Sequence, residues 1–237
     1  MYKDHRILAL IPARGGSKGI KKKNIAQVNG LPLIAYTINA VKESSCFDPE
    51  DIIVSTDSEE IAEIARQFGA SAPFRRPKEL AADRSDPEQA ISHALKTLAI
   101  RGREYDILVF LQPTSPLRTA RDIQGSLDLF IENRLTSLAS VSPAVEHPVF
   151  MRTLSPDGRL HRIVPEEGNA RRQDVKDMFY LNGAIYINRI VGTKSNWRGN
   201  NNEFAFVMNP INGFEVDCPR DLHSAEIWLS LPGTARE

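Results

Sequence analysis

The chain has 237 residues, and its 30 Lys and Arg balance 30 Asp and Glu, so global charge gives no case for a nucleic-acid partner. Its two cysteines, Cys46 and Cys218, lie at no paired spacing, which suits a reducing compartment and argues against a structural zinc site. The N-terminus shows no signal-peptide pattern, and no apolar run approaches the ~20 residues of a membrane span. A soluble cytoplasmic protein built on one large α/β domain is the expectation.

"RILALIPA" reads as a buried parallel strand. It runs into "RGGSKGIKKKNI", part of a stretch from His5 to Lys42 that holds seven Lys and Arg and no Asp or Glu. "PLIAYTINAVKES" follows as a helix, with Ile34, Ile38 and Val41 on one face and Pro32 suited to its first turn. "DIIVST" is a second strand. "DSEEIAEIARQFGA" is a second helix that Asp57 can cap, with Glu60 at capping-box spacing and Gly69 as its stop. The grammar repeats in a helix opened by Asp86 and Pro87, the strand "DILVFLQ", and a helix opened by Thr119 and Asp122. This alternation predicts a doubly wound, mostly parallel sheet, with ligands at the loops leaving the strand ends. After "LASVSPA" the chain turns polar, and "SPDG" marks a turn between two short strands of an excursion from the sheet. "GAIYINR", "FAFVMN" and "GFEVD" return to strand pattern, and "PRDLHSAEIWLSL" closes as a helix.

Four segments carry chemistry. The opening loop has Gly15, Gly16 and Gly19, a spacing that fits neither the dinucleotide nor the Walker pattern. Glycines that let backbone N–H groups turn toward an anion, beside Arg14, Lys18 and Lys23, point to a triphosphate. "LQPTSPLR" (111–118) offers Gln112, Thr114, Ser115 and Arg118 at a strand end; local features leave it open between a rigid turn and a site. In "FEVD", Glu215 and Asp217 would lie on the same side of a strand, where two carboxylates can hold Mg²⁺; the alternative puts Glu215 on a solvated face and Asp217 at the cap of the last helix. Arg171 and Arg172 are adjacent cations suited to a carboxylate, a pattern more common on plain surface. The five histidines are scattered, and His93 reads as structural.

Taken together, "IPARGGSKGIKKKNI", "LQPTSPLR", "RRQ…NGAIYI" and "EVD" resemble the acylneuraminate cytidylyltransferases, in order and over nearly the whole chain. The resemblance implies a nucleotide-diphospho-sugar transferase-like α/β fold over residues 1–237, with an inserted dimerisation lobe at about 145–182, and a homodimer. It implies CTP and a nine-carbon 2-keto sugar acid (a nonulosonic acid, sialic, legionaminic or similar) as substrates. Mg²⁺ or another divalent cation is the implied cofactor. By position, Arg14, Ser17, Lys18, Lys23 and Asn24 match the CTP grip, with Arg76 near the cytosine and Ser85 close to where a base-contacting serine is expected. Gln112 and Arg171 or Arg172 match sugar contacts, and Asp217 with Glu215 the metal carboxylates; Arg14, Lys23 and Asp217 are the catalytic candidates. Three departures stand out: Glu215 where Asp is typical, Pro87 in the place of the serine, and Tyr180–Leu181 where an arginine precedes "NGA". A neutral "QPTSP" in place of an acidic "QGDEP"-like turn favours a nine-carbon acid over Kdo. The alternatives are a CMP-pseudaminic or CMP-Kdo synthetase, or a catalytically silent nucleotide-binding protein.

Overall fold

The computed structural model describes residues 1–82, 85–164, 175–195, 197, 201 and 203–231. In chain order its elements are β1 (Ile7–Pro12), β2 (Gln27–Val28), β3 (Leu31–Pro32), α1 (Leu33–Glu43), β4 (Ile52–Ser55), α2 (Glu59–Gln67), α3 (Pro87–Ile100) and β5 (Ile107–Phe110). There follow α4 (Ala120–Glu132), β6 (Ser137–Pro143), β7 (Arg152–Leu154), β8 (Leu160–Arg162), β9 (Phe179–Val191), β10 (Lys194–Ser195), β11 (Phe204–Val207) and α5 (Pro219–Ser230). Among the described residues no helix is long and apolar enough to cross a membrane.

The main sheet runs β11-β6-β9-β5-β1-β4, with β10 paired to the end of β9. Strands β4, β1 and β5 are mutually parallel, as the alternation with helices predicts. Strand β9 runs antiparallel to both β5 and β6, so the sheet is mixed at that point. Among the described residues the connection from β6 to β9 holds the β7–β8 hairpin and no α-helix, so it does not impose the parallel direction of a helical crossover. Residues Phe179–Leu181 already pair with Val141–Pro143, so the end of the 145–182 excursion belongs to the sheet.

Side-chain alternation along β1 sorts the core into two layers. Ile7, Ala9 and Ile11 pack with α1, α2 and α4 through Ile34, Ile38, Ile61, Ile123, Leu127 and Phe130. Leu8 and Leu10 face the other way, onto Ile91, Ala94, Leu95 and Leu98 of α3. A third, smaller cluster joins Ile20 of the basic loop to Val28, Leu33, Val216 and Ala225 of α5.

The helix caps follow expectation at α3, where the Asp86 carboxylate accepts from the Glu88 N–H at 2.9 Å, and at α4, where Thr119 and Asp122 form a capping box. They depart from it at α2. Ser58, not Asp57, is the cap, accepting from the Ile61 N–H at 3.4 Å, because the Asp57 carboxylate is engaged elsewhere. Pro32 stands one residue before α1 in extended backbone and ends the β2–β3 hairpin. The expected strand at 214–217 does not form; the Val216 N–H instead donates to the Thr114 carbonyl, on the turn after β5, at 2.8 Å.

Candidate active site

The site lies where the parallel strands end. Beyond β1 the Ala13 N–H still reaches the Ser55 carbonyl at 2.9 Å, and then the basic loop departs. Its shape is held by its own polar groups. The Ser17 hydroxyl donates to the Ile20 carbonyl and accepts from the Lys23 N–H at 3.0 Å. The buried Asn24 amide donates to the Arg14 carbonyl at 2.9 Å. None of Gly15, Gly16 and Gly19 adopts a positive φ, which corrects the expectation that conformational freedom explains them. Two are there for close approach. A Cβ on Gly19 would stand 2.9 Å from the Asp217 carbonyl oxygen, and one on Gly15 would stand 3.1 Å from Ser58 Cβ. The Gly15 N–H donates to Asp57 Oδ1 at 2.8 Å, so it is not available to an anion.

Facing the loop is the 214–217 segment. Lys23 Nζ donates to the Val216 carbonyl and to Asp217 Oδ1, both at 3.0 Å. Asp217 is not the cap of α5: Asp221 accepts from the N–H groups of Asp217 and Cys218 at 2.8 and 2.7 Å, leaving the Asp217 carboxylate exposed at the rim. Glu215 points inward, where its Oε1 accepts from the Thr114 hydroxyl at 3.0 Å. Burial, and then the charge of Asp217, push the Glu215 carboxyl above its usual range, against the opposing pull of Thr114 and Lys23.

Gln112 and Thr114 enter on the turn after β5. Arg118, which ends that turn, is fully enclosed and does not face the cleft; its guanidinium donates to the Gln112 carbonyl at 3.2 Å, the Ala184 carbonyl at 2.7 Å and the Thr37 hydroxyl at 2.6 Å. Burial pushes its pKa down to about 9, with Asp122 opposing. Arg118 therefore fixes the turn to a bulge in β9, where the pairing slips between Ala139 and Val141. Within the bulge Gly183 has φ +74°, and a Cβ there would meet Gln112 Oε1 at 3.2 Å and Glu215 Oε2 at 3.4 Å. The neighbouring Asn182 amide donates to Ser142 Oγ at 2.9 Å and locks the bulge from behind.

These parts enclose a cleft of about 340 Å³, lined by Arg14, Ser17, Lys23 and Asn24 on one side and by Gln112, Thr114 and Glu215 on the other. Arg76 and Pro87 also line it. Arg76 is 5% exposed and donates from Nε to Ser55 Oγ at 3.1 Å; burial brings its pKa down to about 10, so it stays a cation at neutral pH. Three cations and one carboxylate thus converge on a space of nucleotide scale. The Cytidylyltransferase family profile matches residues 8–154, which takes in the basic loop and the turn after β5.

This chain belongs to the cytidylyltransferase family. The N-acylneuraminate cytidylyltransferase of Streptococcus agalactiae is 39% identical over 181 residues, 76% of this chain and 42% of that protein. The CMP-N,N'-diacetyllegionaminic acid synthase of Legionella pneumophila is 36% identical over 242 residues, 95% of this chain and 97% of that one. The chain stands with the acylneuraminate cytidylyltransferases of that family. In fold it is similar to a structure of CMP:2-keto-3-deoxy-manno-octonic acid synthetase complexed with CTP, with a TM-score of 0.66 at 16% identity over 95% of this chain and 98% of that one.

Most of the residues anticipated for a cytidylyltransferase come together in this cleft. Lys18 is exposed on the loop, and Ser85, whose hydroxyl donates to the Glu79 carbonyl at 2.8 Å, does not line the cleft. Arg171 and Arg172 lie outside the described residues. Sequence reasoning gave Asp57 only a capping role, left Thr114 open between turn and site, and passed over Gly183. Asp57 follows a parallel strand and Thr114 stands in "QPTSP", so both sit at strand ends, where ligands gather in such sheets. The one sequence signal for the bulge is Gly183 itself, an isolated glycine at the head of the "GAIYINR" strand pattern.

Proposed function

We propose that this cytidylyltransferase couples CTP to a nine-carbon 2-keto sugar acid, forming the CMP-sugar and releasing pyrophosphate. The observation that carries the reading is the meeting, across one cleft, of Arg14, Lys23 and Arg76 with Glu215 and the Gln112–Thr114 turn. The phosphates lie against the loop of Arg14, Ser17, Lys18, Lys23 and Asn24, and the cytosine toward Arg76 and the Ser85 side. Gln112, with Arg171 or Arg172, takes the sugar acid. The anomeric hydroxyl attacks the α-phosphorus in line and gives its proton up to solvent as the bond to pyrophosphate breaks, and Arg14 and Lys23 neutralise the charge that gathers on the leaving group. Positioning supplies most of the rest.

Glu215 and Asp217 suit Mg²⁺ or another divalent cation. Both present hard carboxylate oxygens, and their mutual repulsion, which helps hold Glu215 above its usual range, is what a cation relieves. Among the described residues no set of three or more His, Cys, Asp and Glu side chains could hold a metal, so substrate oxygens would complete the shell, as Mg²⁺ commonly requires. Bound there, the ion would offset phosphate charge. The homodimer is proposed on the exposed apolar residues of the excursion, including Phe150, Leu154, Leu160 and Phe179.

Pyrophosphate release from CTP, measured against sialic, legionaminic, pseudaminic and Kdo acids, tests this. Turnover with a nine-carbon acid, abolished in Asp217→Ala, is the expected result. Turnover with Kdo alone would overturn the substrate class, and tight CTP binding without turnover on any acid would leave a nucleotide-binding protein.

A further inference from the structure

The carboxylate nearest the start of the basic loop has no part in the chemistry above. Asp57 stands in the turn between β4 and α2, half-buried, and leaves the capping of α2 to Ser58. Its Oδ1 accepts from the Gly15 N–H at 2.8 Å. The other end of that same peptide unit, the Arg14 carbonyl, accepts from Asn24 at 2.9 Å. One peptide plane is therefore pinned at both its oxygen and its nitrogen, and it is the plane that carries Arg14 into the cleft. The fit leaves no slack, since a Cβ on Gly15 would lie 3.1 Å from Ser58 Cβ.

We propose that Asp57 is a positioning residue for nucleotide binding, acting as the acceptor that fixes the Arg14–Gly15 peptide and so aims Arg14. The proposal rests on the reading of the cleft as a CTP site. Electrostatics argue that the acceptor matters more than the charge. A carboxylate beside a triphosphate site repels its ligand, and its compensating service is to the cations: Asp57 opposes the downward push of burial on Arg76, to which Arg14 adds. The Arg76 guanidinium is close enough to feel its charge, and Thr56 and Ser58 flank it in the chain. The side-chain amide introduced by Asp57→Asn would keep an acceptor oxygen while removing the repulsion, so that variant separates the two roles.

The test is steady-state kinetics of Asp57→Ala and Asp57→Asn, with CTP and the sugar acid varied in turn, together with hydrogen exchange of the Gly15 amide followed by NMR. In Asp57→Ala, kcat/KM for CTP falls about 10- to 100-fold while KM for the sugar acid stays within about twofold, and the Gly15 amide loses protection. Asp57→Asn recovers most of that loss and keeps the amide protected. An alanine variant with a CTP KM and kcat close to wild type, or an asparagine variant as impaired as alanine, overturns the proposal. Should the alanine variant fold poorly, amide protection in Asp57→Asn against wild type decides, with loss of protection counting against the proposal. If wild type neither binds CTP nor releases pyrophosphate with any sugar acid, the nucleotide reading fails, whereas an unprotected Gly15 amide in wild type refutes the Asp57 contact itself.

Discussion

Lys23 and Glu215 answer opposite electrostatic demands within one cleft. Among the described residues the Lys23 ammonium is tied to the Val216 carbonyl and to the Asp217 carboxylate, whose exposure to water keeps the ion pair's contribution to stability small. Lys23→Ala is therefore expected to lower kcat/KM for CTP about 100-fold, with unfolding free energy within about 0.5 kcal/mol of wild type by urea titration. Glu215 is the reverse case. Its folded pKa is raised, first by burial and then by Asp217, so the folded state holds a proton that the unfolded chain has already lost. Ionising it costs stability, and that cost sets in as pH rises from the unfolded value of about 4.3 through the folded one. Glu215→Gln, neutral throughout, is expected to melt at a higher temperature than wild type at pH 7, with the gap closing toward about pH 4, while pyrophosphate release from CTP is lost. Calorimetry at the two pH values checks the sign. The charges themselves were legible in the sequence, because an acid-free basic loop and an "EVD" triplet are visible in any reading. Their environment was not, since the burial of Glu215 depends on Thr114, which lies 101 residues away in the chain.

At the scale of elements, β9 shapes the side of the cleft proposed to take the sugar acid. Gly183 holds a positive φ inside its bulge and leaves room for Gln112 and Glu215. Alanine there incurs left-handed strain of about 1–2 kcal/mol and crowds both side chains. Gly183→Ala is expected to raise KM for the sugar acid more than KM for CTP, a split that initial-rate kinetics resolves. The helices and parallel strands were readable because their periods of 3.6 and 2 survive in "PLIAYTINAVKES" and "RILALIPA". "GAIYINR" shows that its residues are buried but carries no sign of strand direction, so the antiparallel run of β9 stayed hidden. "GFEVD" misled for a related reason. Its alternation comes from Val216 packing under the basic loop with Ile20, not from a place in a ladder.

Across the whole molecule, the two ends of the sheet divide stability from function. At the end away from the cleft, Asp51 is 1% exposed and accepts from Tyr105 at 2.7 Å, Arg103 at 2.8 Å and Arg6 at 3.3 Å. Burial alone would raise its pKa, but these donors outweigh it and hold the carboxyl below the usual range. Its stabilisation is present in full above the unfolded value of about 3.9 and is lost as pH falls through the folded one. Asp51→Asn is expected to cost roughly 3–5 kcal/mol in urea unfolding at pH 7 while leaving kcat/KM for CTP near wild type.

The bond from Lys23 to the Val216 carbonyl spans 193 residues, and Ile20 and Val216 share the apolar cluster beneath it. At about 5–20 residues per second of synthesis, roughly 10–40 s pass between the two ends of that contact leaving the ribosome. The strands and helices before β5 emerge long before then, but the basic loop acquires its opposing wall only when the 214–217 segment and α5 arrive. A nascent chain of this protein carries its cations early and its nucleotide site late, so competence to bind CTP reports that synthesis has passed the 214–217 segment.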